Sequence, residues 1–550
     1  MRLGPCLLLL LLTWAPSAFA STQILNSSRV RVVAEQDLQG PSEGFLTLRV
    51  HAENLTGHSQ RVTLRFESRP NADVSAELDL AGAERRTLDL LIPAYARYGQ
   101  LSADDGRDRR SESFSWHWQS HDPILLEGPT AGAELVARGK SPDGSPTSFA
   151  AAIAVSKEQL PSSLAALVGY AAVGVLETPF EELPEPQRRA LEAYAATGGE
   201  LFLAQVPTRP ETALPLWRGT RAEGPHPYGL GHVHLYRDAA RCVDALHGVG
   251  EIRRAASTNT TSYNRGYGPS PSNGDPLIAV ARVPVGGFLL LVLLFVFVIG
   301  PGSFVLRARK GPGALMLFIP LTAMATCGGI AGYGVLHEGV LTVHAASRAV
   351  TFLDAEHHRA ATLSVDGFYA SLAPSVVRYA ALASPIPPQG SNAQDLEIDL
   401  TSGLTFRGGF IPSRTYREHL DAVVAPSRAR LSARSAGQGQ ATVQNALGAK
   451  VVDGAVKLDG RICLFYALAD GASGTASCSE GASFSPALRE RFWGGLKDRF
   501  TLGRLDDNAF GPLEDGDFLV SLDRAVFAPD LGFSVTREGD FQLVRGRVSP

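Results

Sequence analysis

VGGFLLLVLLFVFVIGPGSFVL (Val285–Leu306), RARK (Arg307–Lys310) and GPGALMLFIPLTAMATCGGIAGYGVL (Gly311–Leu336) follow one another without a break, and this stretch decides how the chain is organised. Neither long run holds a charged residue; the short segment between them holds three cations. A helix rises about 1.5 Å per residue, so about 20 apolar residues cross a hydrocarbon layer of about 30 Å. Each run is long enough. The pattern predicts a transmembrane hairpin over 285–336, with Arg307, Arg309 and Lys310 on the cytoplasmic side by the positive-inside rule. Pro301 and Pro320 remove backbone donors within the runs, and a kink or frayed end is expected at Gly300-Pro301-Gly302. Gly328 and Gly332 have the G-x-x-x-G spacing that lets two helix backbones approach closely.

The amino terminus gives an independent indication of the same threading. Met1-Arg2, the apolar Leu7–Leu12 and Ser17-Ala18-Phe19-Ala20 form a secretory signal peptide with cleavage expected after Ala20. Ser21 rather than a cysteine follows the cut, so no lipoprotein anchor is expected. Residues 21–284 and 337–550 are therefore both expected outside the cytoplasm.

A chain of 550 residues has room for three or four domains. Its net charge of −4, with no basic stripe, gives no broad attraction for nucleic acid. With five cysteines, folding rests on apolar cores rather than on a disulfide framework. Cys463 and Cys478 flank a Gly/Ala/Ser-rich turn and are either a disulfide or two buried thiols. Asn26-Ser27-Ser28, Asn54-Leu55-Thr56 and Asn259-Thr260-Thr261 fit the glycosylation sequon, a short pattern that also arises by chance.

Before the hairpin the hydrophobic period changes once. Val30–Val33, Phe45–Ala52, Gln60–Glu67 and Arg86–Ile92 alternate apolar and polar residues, as half-buried strands do, and predict a β-sandwich domain over 21–120. Phe114, Trp116 and Trp118 alternate too and are expected in a core strand. Beyond residue 120 come short continuous apolar runs, Ile124–Leu126, Phe149–Val155 and Ala171–Leu176, as in buried parallel strands. Gln187–Ala196 carries Leu191 and Tyr194 at helical spacing, Thr197-Gly198-Gly199 ends that helix, and Glu200–Gln205 is the next strand. This strand–helix–strand unit predicts an α/β domain over 121–250. Residues 251–284, rich in Ser, Thr, Asn, Gly and Pro, form a linker.

The segments AAVGVLETPFEELPEPQRRALEAYAATGGELFLAQ (171–205) and YGLGHVHLY (228–236) resemble the class I glutamine amidotransferase-like domain of bacterial two-helix membrane proteins, and IGPGSFVLRARKG (299–311) resembles the membrane segment of the same group. The resemblance covers roughly residues 120–550 and implies a flavodoxin-like α/β domain. Active amidotransferases place a cysteine on a tight turn directly after a strand. Here Glu200–Gln205 is followed by Val206-Pro207-Thr208, and Cys242 falls after the last strand. Without a thiolate there is no acyl-enzyme route, so a degenerate, non-enzymatic domain is implied. His232 and His234 share one strand face and, with His226, offer three imidazoles to a metal; the alternative is a solvated strand edge, because no carboxylate or cysteine has matching spacing. No metal, cofactor or catalytic residue is assigned.

The C-terminal half, 337–550, reads as a β-rich extracytoplasmic domain. Leu341–Leu353, Ala360–Ser371, Val376–Ala383, Ala441–Gln444, Ala455–Leu458, Ile462–Leu468, Phe518–Leu522 and Phe541–Val544 are strand-like. Asn445-Ala446-Leu447-Gly448 echoes Asn54-Leu55-Thr56-Gly57; related sandwich modules or shared turn chemistry would each produce that echo. Leu488–Phe500 is an amphipathic helix with Phe492, Trp493, Leu496 and Phe500 on one side. Asp506-Asp507, Glu514-Asp515 and Asp517 lack the ligand order of a calcium loop and are expected to be solvated. The whole is a multidomain α/β plus all-β protein. Its expected role is a membrane-embedded, non-enzymatic cell-envelope protein that presents its outer domains to a membrane or envelope protein partner; an accessory subunit of a transporter or secretion system, and a metal-dependent envelope hydrolase, are the alternatives.

Overall fold

The computed structural model describes residues 20–36, 39–41, 44–68, 72–118, 123–128, 152–217, 222–246, 277–278, 285–338, 342–386, 396–437, 439–480 and 511–549. The expected helix at Leu488–Phe500, the signal peptide at 1–19, Asn259 and most of the linker lie outside them. The fold is a mixture of α/β and β-rich parts with two long apolar helices.

Before the hairpin, β1 (Ala20–Asn26), β2 (Val30–Gln36), β3 (Phe45–Asn54), β4 (Gln60–Ser68), β5 (Ala72–Leu80), β6 (Arg85–Pro93), β7 (Tyr98–Asp104) and β8 (Arg109–Ser115) form two sheets. Alternate residues point to opposite faces, so Val62, Leu64 and Phe66 of one sheet meet Leu48 and Val50 of the other in a common core. Phe114 and Trp116 join that core, with the Trp116 ring edge-on to Phe66 at 5.5 Å. Nothing is described for the Trp118 side chain.

The next unit is a six-stranded sheet of β9 (Ile124–Glu127), β10 (Ala152–Val155), β11 (Ala172–Val175), β12 (Glu200–Leu203), β13 (Gly224–Tyr228) and β14 (Gly231–Leu235). The order is β10-β9-β11-β12-β14-β13, parallel throughout except for the edge hairpin β13–β14. Helix α1 (Glu185–Ala196) buries Leu191 and Tyr194 against it and stops where Gly198 takes φ +109. Gly231 has no room for a side chain: a Cβ there would sit 2.3 Å from the Gly199 carbonyl oxygen, so the hairpin closes tightly on the end of α1.

Helices α2 (Val285–Lys310) and α3 (Gly313–Glu338) form the hairpin. Both are long and apolar enough to cross a membrane and neither is buried in the protein. Helix α2 continues through Pro301, where a kink or end was expected, and closes on Arg307, Arg309 and Lys310. The two helices approach through Gly302 and the Phe318 ring, 3.4 Å from the position of a Gly302 Cβ, whereas Gly328 and Gly332 face open space.

After the hairpin, β15 (Val343–Asp354) and β16 (Arg359–Ala370) are long antiparallel strands, each spanning about 40 Å. β17 (Leu396–Asp399) and β18 (Thr405–Gly408) leave this sheet and extend the N-terminal one, β17 lying parallel to β5. The expected strand over Val376–Ala383 is broken: Val377–Arg378 form a short pair, and Ala383 opens a separate strand, Ala383–Ile386, that pairs with residues 420–423. β19 (Tyr416–Pro426) returns beside β16. β20 (Arg430–Gly437), β21 (Gln440–Ala446), β22 (Val451–Leu458), β23 (Arg461–Leu468), β24 (Ser473–Ser479), β25 (Asp517–Leu522) and β26 (Phe541–Arg547) complete the chain. β26 runs parallel to β15 and joins this group to the long strands.

The long strands act as a spine. At one end of one face, Val343, Ala345, Phe368 and Ala370 belong to the N-terminal core. At the other end, Leu353 and Ala360 belong to the C-terminal core. The opposite face, with Val350, Phe352, Leu363, Val365 and Val424, packs on the α/β unit. A buried network fastens that contact: Tyr228 donates to Glu192 Oε1 at 2.7 Å, and Arg359 donates to Glu192 Oε2.

The Asn-x-x-Gly echo marks a structural repeat. β2–β8 and β20–β26 follow one scheme, in which the antiparallel pairs β2·β3, β3·β6, β4·β5, β4·β7 and β7·β8 match β20·β21, β21·β24, β22·β23, β22·β25 and β25·β26. The Asn54 amide donates to the carbonyls of His58, Leu80 and Ala81 and accepts from the Thr56 N–H. The Asn445 amide donates to those of Ala449, Leu468 and Ala469 and accepts from the Leu447 N–H. In both, the turn after the second hairpin strand needs a left-handed residue, Ala83 (φ 59) and Gly471 (φ 73). Shared turn chemistry alone does not bring in partners from a separate hairpin.

Candidate functional site

Three places gather polar chemistry. The first is the edge of the α/β sheet. β12 pairs with β14 so that Glu200 lies opposite His232 and Phe202 opposite His234, all on one face. His234 Nε2 is 2.7 Å from Glu200 Oε2, His232 Nδ1 is 3.4 Å from Glu200 Oε1, and the Phe202 and His234 rings stack at 4.0 Å. His226 pairs with Val233 in the antiparallel register, so it lies on the other face; its Nε2 is 2.8 Å from the Ala222 carbonyl and its ring is beside Trp217. The three histidines are not brought together. Among the described residues no group of three His, Cys, Asp or Glu side chains has the arrangement to hold a metal.

The second place is the carboxyl end of the parallel strands, where open α/β sheets bind ligands. Glu127 ends β9 and is buried. Its Oε2 accepts the N–H groups of Leu176, Glu177 and Thr178, at 3.2, 3.1 and 3.1 Å, and its Oε1 accepts the Thr178 hydroxyl at 2.6 Å. Successive N–H groups after a strand are a ready anion site; here an internal carboxylate occupies them. Position 128 must be glycine-like, with φ +118 and Glu177 close to where a Cβ would be. Cys242 lies beneath the sheet in an apolar cluster with Leu126 and Phe202. Burial, with Asp238 adding to it, pushes its thiol up to about 12, so it carries no thiolate at neutral pH.

The third place was not found from sequence. Ser347, Ser364, Asp366, His419 and Asp421 lie on the middle of one face of the spine, between the N-terminal and C-terminal cores, and all are buried. Asp366 pairs with His419 and Ser364 with Asp421, so the strand register sets the two aspartates diagonally across from one another. Tyr379 donates to Asp421 Oδ1 at 2.8 Å, Ser364 to Asp366 Oδ2 at 2.5 Å, and Arg537 Nη1 is 3.9 Å from Asp366 Oδ1. Burial first, and then the charge of Asp366, holds the Asp421 carboxyl well above the usual range, so it keeps a proton. Burial and the nearby Arg417 lower His419 to about 3; its ring is neutral and stacked on Phe410 at 4.0 Å. The group is sealed from solvent, so it can hold a proton but cannot meet a substrate. Its only sequence signal is an aspartate inside each apolar run, LSVDGF (363–368) and LDAVV (420–424).

The remaining predicted sites resolve individually. Cys463 and Cys478 form a disulfide between β23 and β24. Asn54 is 2% exposed, with its amide fully engaged, so it is no glycan acceptor; Asn26 is exposed. Asp506 and Asp507 lie outside the described residues. Asp515 caps the Gly460 N–H at 2.9 Å and Asp517 is 3.5 Å from Arg545, so these carboxylates serve turns and pairs and are not simply solvated.

No protein family matches the sequence, and no curated protein does. Among solved structures, the mu-homology domain of yeast delta-COP-I, in complex with a Dsl1 WxWxV peptide, is similar over 38% of this chain and 98% of its own length, with 9% identity and a TM-score of 0.19. A likeness at that level establishes neither a shared fold nor a shared activity.

Proposed function

We propose that this is a membrane-anchored, non-enzymatic cell-envelope protein whose two large parts both lie outside the cytoplasm and present one surface to a membrane or envelope protein partner. In this reading residues 1–20 are a removed signal peptide, the hairpin 285–336 is the anchor, and the α/β unit is a flavodoxin-like, amidotransferase-like domain that has lost its chemistry. An accessory subunit of a transporter or secretion system is the specific form this role would take.

The observation that supports it is that the chain before and the chain after the hairpin build one body. β17 and β18 complete a sheet begun before the hairpin, and β16 holds α1 through Arg359 and Glu192. Domains on opposite sides of a membrane would not share sheets and cores. The reading of a domain without amidotransferase chemistry is supported separately: the turn after β12, Val206-Pro207-Thr208, offers no thiol, and Cys242 is a buried neutral thiol.

Crosslinking in the native membrane, followed by purification and mass spectrometry, tests the reading. One reproducible membrane or envelope protein attached to the ectodomain is expected. Only self-crosslinks, or turnover of an amide substrate by the purified protein, would overturn it.

A further inference from the structure

The spine has a membrane-facing end, and the chain connectivity identifies it. Helix α3 ends at Glu338, and Thr342 already accepts a backbone hydrogen bond from Ser371 at 3.1 Å. Four residues span at most about 14 Å, so the turn after β16 sits close to where the helix leaves the bilayer. The next turn joins it there: Arg414 donates its N–H to the Ala370 carbonyl at 2.7 Å, and Ala373 donates to the Ser413 hydroxyl at 2.7 Å. The other flank of the hairpin is fixed at the same end, because the Tyr416 hydroxyl accepts the Leu277 N–H at 2.9 Å.

Two side chains at this end are exposed without a structural purpose. Leu372 is 56% exposed, and outside the hairpin the other large apolar side chains left open among the described residues are Leu55, Tyr98 and Tyr466. Arg414 is exposed and has no ion pair among the described residues. An apolar side chain and a cation projecting together beside a membrane helix match the interfacial layer, where acyl chains meet lipid phosphates.

We propose that the Ser371–Ser375 and Ser413–Thr415 turns form a lipid-contacting foot, with Leu372 in the acyl boundary and Arg414 on the headgroup phosphates, so that the body stands upright on the bilayer. The proposal rests on the membrane reading above, and its test separates the two. The full chain carrying Cys327→Ala is reconstituted in nanodiscs of phosphatidylcholine and phosphatidylglycerol. Single cysteines labelled with an environment-sensitive fluorophore replace Phe297, Leu372 or Tyr466. Spin-labelled lipid should quench the probe at 297 and the probe at 372, and Leu372→Cys should lose part of that quenching when Arg414→Glu is added. The probe at 466, on the C-terminal module at the far end of the spine, should be unaffected. Quenching at 297 without quenching at 372, or equal quenching at 372 and 466, would overturn the foot and leave the anchor standing. Absence of quenching at 297 would overturn the membrane reading, and the foot with it.

Discussion

The module of β2–β8 and the module of β20–β26 share one pairing scheme but join the rest of the protein by opposite sides. In the first, the free edge of β5 is taken by β17 from the far half of the chain, and β8 is left as an exposed edge. In the second, β26, the counterpart of β8, pairs with the spine, and β23, the counterpart of β5, pairs with β24 and is clamped there by Cys463–Cys478. Each copy therefore needs only one of its two edges to be a junction. The other is closed by a disulfide in one case and by charge in the other, since Arg109, Arg110 and Glu112 discourage further pairing along β8. What is common to both, the buried asparagine, is what the module needs in order to fold; what differs is what it needs in order to be placed.

The largest effect that tests this comparison is loss of those asparagines. Asn54→Ala and Asn445→Ala each remove one amide that satisfies three carbonyls, and each is expected to cost about 3–5 kcal/mol in chemical denaturation. Similar losses sharpen the equivalence. A silent substitution on one side would break it.

Next is the disulfide, which only the C-terminal module has. Replacing Cys463 and Cys478 by alanine frees a loop of 15 residues and should cost about 3 kcal/mol by the chain-entropy account, read as earlier unfolding of a probe in that module.

A smaller effect reports on the seam between the modules. Asp366 and Asp421 have carboxyls raised by burial. A carboxyl whose folded value lies above its unfolded value, about 3.9, leaves stability intact below that point and removes it as pH rises through the folded value. Thermal denaturation should therefore show stability falling above about pH 4, by up to about 1.4 kcal/mol per pH unit per proton, and Asp421→Asn should flatten that fall. A parallel slope in the variant would exclude the pair as its source.

The smallest effect concerns the hairpin. Gly328→Leu and Gly332→Leu introduce side chains into open space, so the hairpin's own thermal stability in detergent should move by less than about 0.5 kcal/mol. A large loss would place these glycines in the contact between α2 and α3, which the structure assigns to Gly302 and Phe318.

How much of this was legible follows from the range of the signals. The hairpin, the period-2 strands of β3 and β4, and the β11–α1–β12 unit are local patterns, and each was readable from its own residues. Asn54 and Asn445 were readable only as a pair of turns, because Leu80 and Leu468, which make them equivalent, lie more than 20 residues further on. Tyr379, Asp366 and Asp421 come from different strands, and no spacing in the chain announces that they meet. His226, His232 and His234 failed in the opposite way: closeness in sequence suggested a cluster that strand register separates. Glu127 carries no signal in the sequence, because a carboxylate ending an apolar run is common and only the backbone of 176–178 gives it a role.

The insertion of β17 beside β5 also sets a timetable. Ribosomes add roughly 5–20 residues per second. The α/β unit and both apolar helices must be made between β5 and its partner strand, so the edge of β5 stays open for tens of seconds after it emerges. During biosynthesis that edge is open to pairing with any extended chain nearby until residue 396 arrives to cover it.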